Sequence, residues 1–514
     1  MKNIFLDDPS LLFEIRQGIE RECLRTEING CAALTKHPVA LGSKLTHAYI
    51  TTDYSENLLE FITKVHSSTT SLVDELESIH AFTQQNIGDE LLWTSSMPSI
   101  LPADDQIPLA CYGKSNVGKL KTLYRNGLGH RYGRSMQSIA GVHYNFSMSD
   151  NFWELLKKEE KSSQDLKDFK DIKYFHLIRN FQRYRWMLVY LFGATPVVDK
   201  SFLEGKKHNL EPLGNDTFYS PYGTSLRMGG LGYTSSAQSN IGICYNKVQS
   251  YIKTLEEARL TSYEDYEKIG LKTNGVYNQL NTNLLQIDNE FYSTIRPKNV
   301  AKSKESALKA LHNRGIEYIE VRLIDVDPFS PIGISSERIH FLHLFLLWCL
   351  TKDSPEISSD ECQELDFNFD QVVLKGRVEG LKLKKKGEDI EMLSYISELM
   401  GEISTLANSF KDIEPFYAIA MDKQLRKIEK KENLPSQVVL DSFGGKSFIE
   451  FHLDLAKDFK GKLELSTKWR EKLEKCSQQS VIEQAKIESE DKLEFDQFLK
   501  TYFDEIKIDL KKGS

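Results

Sequence analysis

The residues best suited to chemistry begin at Gly18-Ile19-Glu20-Arg21-Glu22-Cys23-Leu24-Arg25, where two carboxylates stand two positions apart between apolar neighbours. In a strand, Glu20 and Glu22 share one face, ~7 Å apart. Like charges held this way repel unless a cation joins them, and carboxylate oxygens suit hard divalent ions such as Mg2+ or Mn2+. Taken alone, Glu-Arg-Glu reads as a solvated strand face; the metal reading needs further ligands. Glu60 is the lone acid in the strand-like run Leu58 to Ile62. A carboxylate buried in such a run must be paired, protonated or metal-bound. Asp53 can join it from the preceding turn. In Gly141-Val142-His143-Tyr144-Asn145-Phe146-Ser147, the polar residues alternate onto one face. A lone strand histidine reads first as a hydrogen-bonded structural residue; Asn145 and Ser147 shift the reading toward a polar cavity wall.

Cationic groups complete the inventory. Gly315 to Asp325 is a clear strand by alternation and β-branched content, with Glu320 and Arg322 on one face. On its own the pair reads as a salt bridge. Arg227 lies in a Gly- and hydroxyl-rich loop, where it suits either bidentate capture of a carboxylate or bracing of backbone carbonyls. Arg296 precedes Pro297, which favours extended backbone before it and displays the arginine from a strand end or loop. Gly113 to Lys119 fits G-x-x-x-x-G-K but is followed by Leu120, so the metal-binding hydroxyl of a phosphate loop is missing.

The elements that must position these groups are strands in the first two thirds of the chain, with helices at 68–90 and 171–192. From about residue 370, Lys- and Glu-rich helical patterns dominate, such as Leu381 to Gly387 and Trp469 to Lys475. The expected division is a catalytic domain over 1–370 and a helical region over 371–514 packed on it. At 514 residues and 40% hydrophobic, the chain can bury a large core, and a net charge of −8 argues against a nucleic-acid-binding polycation. No window is long enough to span a membrane, and the N-terminus lacks a signal-peptide pattern. The apolar run His340 to Leu350 reads as a buried helix. Seven scattered cysteines without C-x-x-C suit free thiols in a reducing cytoplasm.

Gly18 to Arg25, Thr51 to Thr63, Tyr124 to Ser147, Thr224 to Tyr233 and Gly315 to Pro331 together closely resemble bacterial glutamate–cysteine ligase of the proteobacterial type. The resemblance implies an α+β fold similar to the glutamine synthetase catalytic domain, with a curved, largely antiparallel sheet forming a funnel, plus a helical C-terminal region. The implied reaction joins L-glutamate to L-cysteine at the expense of ATP through a γ-glutamyl phosphate, the first step of glutathione synthesis.

By the same resemblance, Glu20, His143 and Glu320 would hold Mg2+ (or Mn2+) facing the transferred phosphoryl group. Glu22 and Glu60, with Asp53 nearby, would hold a second ion toward glutamate. Arg322 would steady the transferring phosphoryl charge, and Arg296 would contact phosphate. Tyr54, Tyr124, Gln137, Tyr233 and Tyr292 would line the cysteine pocket, with Arg227 near the amino-acid carboxylates. Tyr54 departs from the enterobacterial pattern, which has Phe there, and its hydroxyl alters the polarity of that pocket. The implied partners are L-glutamate, L-cysteine, ATP and the feedback inhibitor glutathione; a cytoplasmic monomer with no nucleic acid and no membrane is expected. Two alternatives stand beside this: a carboxylate–amine ligase with a different amine acceptor, and a catalytically inactive relative that binds amino acid or nucleotide.

Overall fold

The longest strand, β1 (Ile15–Thr26), runs through the middle of a seven-stranded sheet. The computed structural model describes residues 4–232, 236–239, 241–302 and 305–508. The other strands are β2 (Ile50–Thr52), β3 (Leu58–Ile62), β4 (Leu91–Leu92), β5 (Val142–Met148), β6 (Ile295–Lys298) and β7 (Tyr318–Ile324). Their order is β6-β7-β5-β1-β3-β2, every pairing is antiparallel, and β4 extends the end of β1. Alternation in these segments assigns apolar and polar residues to opposite faces.

The back face is the core. Gln17 and Tyr144 point into it and meet His343, whose ring lies 5.7 Å from that of Tyr144 and 2.9 Å from Gln17 Oε1. Four helices frame the sheet: α1 (Thr69–Asn86), α2 (Asn116–Tyr132), α3 (Leu166–Phe192) and α4 (Ser336–Thr351). Each begins at a Ser or Asp whose side chain accepts from a first-turn amide: Ser68, Ser115, Asp165 and Ser335. Helix α4 holds His340 to Leu350 and is buried from Arg338 to Thr351, packed against α3 and touching the sheet's back side through His343. No helix among the described residues is long and apolar enough to cross a membrane.

The stretch Leu381 to Gly387, read as helical, is instead the first half of a hairpin, Lys382–Lys385 paired with Glu388–Glu391. Lys and Leu are good helix formers, but Lys386 and Gly387 both take positive φ (54° and 84°) and turn the chain back. Trp469 to Lys475 is helical, within α5 (Thr467–Glu490). The Gly113 to Lys119 segment caps α2, and its amides are taken by acids from the far end of the chain. Lys114 N donates to Glu488 at 2.7 Å, and Asn116 N and Nδ2 donate to Asp491. Carboxylates stand where a phosphate loop would place phosphate.

Candidate active site

Strand register assembles the acids on the front face. Glu20 stands directly opposite His143, Glu22 opposite Glu60, and Glu320 opposite both Asn145 and Arg296. Side chains opposite one another in an antiparallel pair meet. His143 lies at the centre, 3.5 Å from Glu20, 3.4 Å from Glu22 and 3.8 Å from Glu320. Ligand atoms of Glu20, Glu60 and His143 all lie within 4.8 Å of one another. This trio takes one carboxylate from each of the two expected ligand groups.

The cluster fits a divalent cation on its own chemistry. Its donors are carboxylate oxygens and one imidazole, the set that hard divalent ions accept. His143 Nε2 and Glu320 Oε2 are buried without a hydrogen-bond partner among the described residues. Burial, then the charges of Glu20, Asp53 and Glu22, push the Glu60 carboxyl well above the usual range. Burial also raises Glu22, against the pull of His143. Glu20 and Glu320 go the other way. Burial opposes their ionisation but is outweighed, by His143 and Lys298 at Glu20 and by Arg322, Lys298, Arg296 and His143 at Glu320.

Arg322 Nη1 donates to Glu320 at 2.9 Å and lies 3.4 Å from His143 Nδ1. Arg296 is buried and donates to the carbonyls of Asn289 and Phe291, and Lys298 lies 3.8 Å from Glu320. The β6–β7 edge is therefore cationic, and the acids fan out from it toward β3.

The glutamate–cysteine ligase family model matches residues 4–372. The chain belongs to this family. A glutamate–cysteine ligase from Pseudomonas putida W619 is 45% identical over 500 residues, spanning 96% of this chain and 95% of the relative. One from Saccharophagus degradans is 46% identical over 511 residues, with the same coverage. The crystal structure of a glutamate–cysteine ligase from Francisella tularensis in complex with AMP superposes with a TM-score of 0.90 at 37% identity, covering 96% of this chain and 98% of that one.

Several of the remaining expected residues of this glutamate–cysteine ligase family member fall beside α2. Gln137 donates to Tyr292 Oη at 2.6 Å, and Tyr292 meets the Tyr132 ring at 5.5 Å. Tyr124 is half-buried on α2. Tyr54 is buried and its hydroxyl has no hydrogen-bond partner among the described residues. It fits over α2 because Gly129 has no side chain there; a Cβ would stand 2.5 Å from the hydroxyl. Asp53 is half-buried at the β2–β3 turn, its amide bonded to Leu58 O at 2.9 Å. Arg227 is buried, donates to Arg322 O at 2.7 Å and faces Asp325 at 3.8 Å, the backbone-bracing arrangement. Tyr233 lies outside the described residues.

Two arrangements escaped the sequence reading. Asn145 donates to Glu20 at 2.9 Å and Gly141 N to Glu22 at 2.6 Å, orienting both acids; for Asn145, the shared strand face was the signal. Arg131 and Glu290 form a fully buried pair at 2.8 Å that also holds Tyr132 Oη at 2.8 Å. No local pattern joins residues that far apart. This pair lies behind a cavity of about 480 Å³ walled by Arg131, Tyr132, Gly230, Gly232 and Tyr266.

Proposed function

We infer that the chain catalyses ATP-dependent joining of the L-glutamate γ-carboxylate to the amine of L-cysteine, giving γ-glutamylcysteine, ADP and phosphate. The observation that carries this reading is the convergence of Glu20, Glu22, Glu60, Glu320 and His143 on one sheet face, with Arg322 at its cationic end. In phosphoryl transfer the protein acts by positioning and charge stabilisation. ATP phosphates and a carboxylate nucleophile repel each other, so the site needs both cations and fixed donors.

Divalent Mg2+ (or Mn2+), held by carboxylates of this cluster with His143, would neutralise phosphate charge when bound. Arg322, oriented by Glu320, offers its guanidinium to the transferring phosphoryl group, and Arg296 and Lys298 keep that edge positive. After γ-glutamyl phosphate forms, the cysteine amine attacks the acyl carbon and phosphate leaves. Tyr54, Tyr124, Gln137 and Tyr292 supply an aromatic and amide wall suited to a small thiol. Arg227 braces the Arg322 backbone, within electrostatic reach of Glu22.

The same reading includes a cytoplasmic monomer, inhibition by glutathione, and a catalytic 1–370 segment buttressed by 371–514. The test is glutamate-dependent ADP release with and without cysteine, in Mg2+ and then in Mn2+, with a panel of other amines beside it. ADP release that requires cysteine is the expected result. Release that ignores cysteine, or prefers another amine, overturns this reading.

A further inference from the structure

A lysine beside the acidic cluster has neither a hydrogen bond nor an ion pair to its ammonium among the described residues. Lys121 lies on α2, three residues before Tyr124 and four before Arg125, so the three side chains share one side of the helix. Its ammonium rests 5.3 Å from the centre of the Tyr112 ring, where it is joined by Arg125 at 4.5 Å and Lys44 at 5.9 Å. Tyr112 fixes the place of all three. Its hydroxyl donates to Thr52 O at 2.6 Å, at the end of β2 and one residue before Asp53.

Two of these cations are engaged. Lys44 forms a buried pair with Glu56, and Arg125 donates to the carbonyls of Asp53, Lys121 and Thr52. The Lys121 ammonium makes no hydrogen bond or ion pair among the described residues, although the side chain is half-buried. Burial, then Arg125, lower its pKa to about 8, while Glu60 pulls the other way. Partial removal of an ammonium from water without a counter-ion is unfavourable.

The phosphoryl end of the site does not supply that counter-ion. Arg322 is on β7, and β5 and β1 separate β7 from β3, a span of roughly 14 Å at the usual strand spacing. The anion at the β2–β3 end must come from another part of the substrates, and both amino acids carry an α-carboxylate. We propose that Lys121 is a substrate-binding residue whose ammonium takes the α-carboxylate of an amino-acid substrate beside Asp53 and Tyr124. This rests on the ligase reading above.

Substrates shortened by that one group test it. Cysteamine is cysteine without its carboxylate, and 4-aminobutyrate is glutamate without its α-carboxylate. Each is measured against its parent as a KM, or as a competitive inhibition constant where it does not turn over. Lys121→Met is expected to raise the constant for one parent roughly 10- to 100-fold and leave its shortened analogue nearly unchanged. Lys121→Arg should recover most of the loss. The pair that separates, cysteine from cysteamine or glutamate from 4-aminobutyrate, identifies the bound substrate. With Lys121→Met folded by thermal unfolding, parent and analogue moving together in both pairs, or not moving, overturns the proposal. Lys121→Gln repeats the measurement if Lys121→Met does not fold. Wild-type protein that releases ADP without needing cysteine would instead overturn the ligase reading itself.

Discussion

Glu320 and Glu60 occupy opposite ends of one carboxylate cluster and meet opposite fields. Around Glu320, Arg322, Lys298, Arg296 and His143 outweigh burial and hold the carboxylate ionised. Around Glu60, burial is joined by the negative charges of Glu20, Asp53 and Glu22, with Arg125 and Lys121 opposing. The Glu60 carboxylate has no hydrogen bond or ion pair among the described residues. A charge of this kind costs stability unless a cation compensates it. Glu60→Gln should therefore raise the melting temperature of metal-free protein, yet weaken the further rise caused by Mg2+ or Mn2+. Glu320→Gln should lower kcat by about 100-fold or more, a loss comparable to that of a fixed transition-state donor, because Arg322 loses the anion that orients it. Thermal scans with and without metal, together with ADP release, check both. A metal-induced shift in Glu60→Gln equal to wild type would remove Glu60 from the ligand set.

At the scale of elements, Asp325 ties the end of β7 to its surroundings. Its carboxylate accepts from Ala194 N at 3.0 Å, Thr195 Oγ1 at 2.7 Å and Ser225 Oγ at 3.0 Å, and faces Arg227. Burial raises its pKa, and Arg227 with the three donors only partly offsets this. A folded-state value above the unfolded one means that the folded protein holds this proton more tightly. The stability it contributes is fully present below the unfolded value and is lost as pH rises through the folded one. Relative to Asp325→Asn, wild type should therefore lose stability as pH rises from the ordinary aspartate value of about 4 through the higher folded-state value. Urea unfolding across that window measures the difference; parallel profiles would show that Asp325 does not titrate in this way.

The strands of this face were legible locally. Period-two alternation placed Glu20 with Glu22, His143 with Asn145, and Glu320 with Arg322. What alternation does not encode is partner and register. That Glu22 meets Glu60, and Glu320 meets Arg296, depends on strands brought together by the whole sheet. The same limit hid Arg131 with Glu290, and Lys121 beside Tyr112, since each contact joins segments with no shared local pattern. The Lys382–Glu391 hairpin was misread for the opposite reason. Its helix-forming residues spoke clearly, and a turn of two positive-φ residues overruled them.

At the scale of the whole molecule, the far end of the chain clasps the segments that carry the β2–β3 turn. Ser480 of α5 accepts from Ser43 N at 2.9 Å and its carbonyl from Thr46 Oγ1 at 2.6 Å, while Glu488 and Asp491 hold the start of α2. Between those contacts lie the Lys44–Glu56 pair, Tyr112 and the turn bearing Asp53 and Tyr54. Gly42 makes the clasp possible. Its φ of 73° suits glycine, and a Cβ there would stand 2.7 Å from the Cα and carbonyl oxygen of Ser477, backbone atoms of α5 that cannot swing aside. Gly42→Ala should cost roughly 1–3 kcal/mol from backbone strain, with overpacking against the helix adding to it. The displacement reaches the Tyr112 cations before it reaches β7. KM for the amino acids should then rise more than KM for ATP, and α5 should become more open to limited proteolysis. Unchanged urea unfolding, or equal shifts in all three KM values, would mean that α5 does not position the β2–β3 turn.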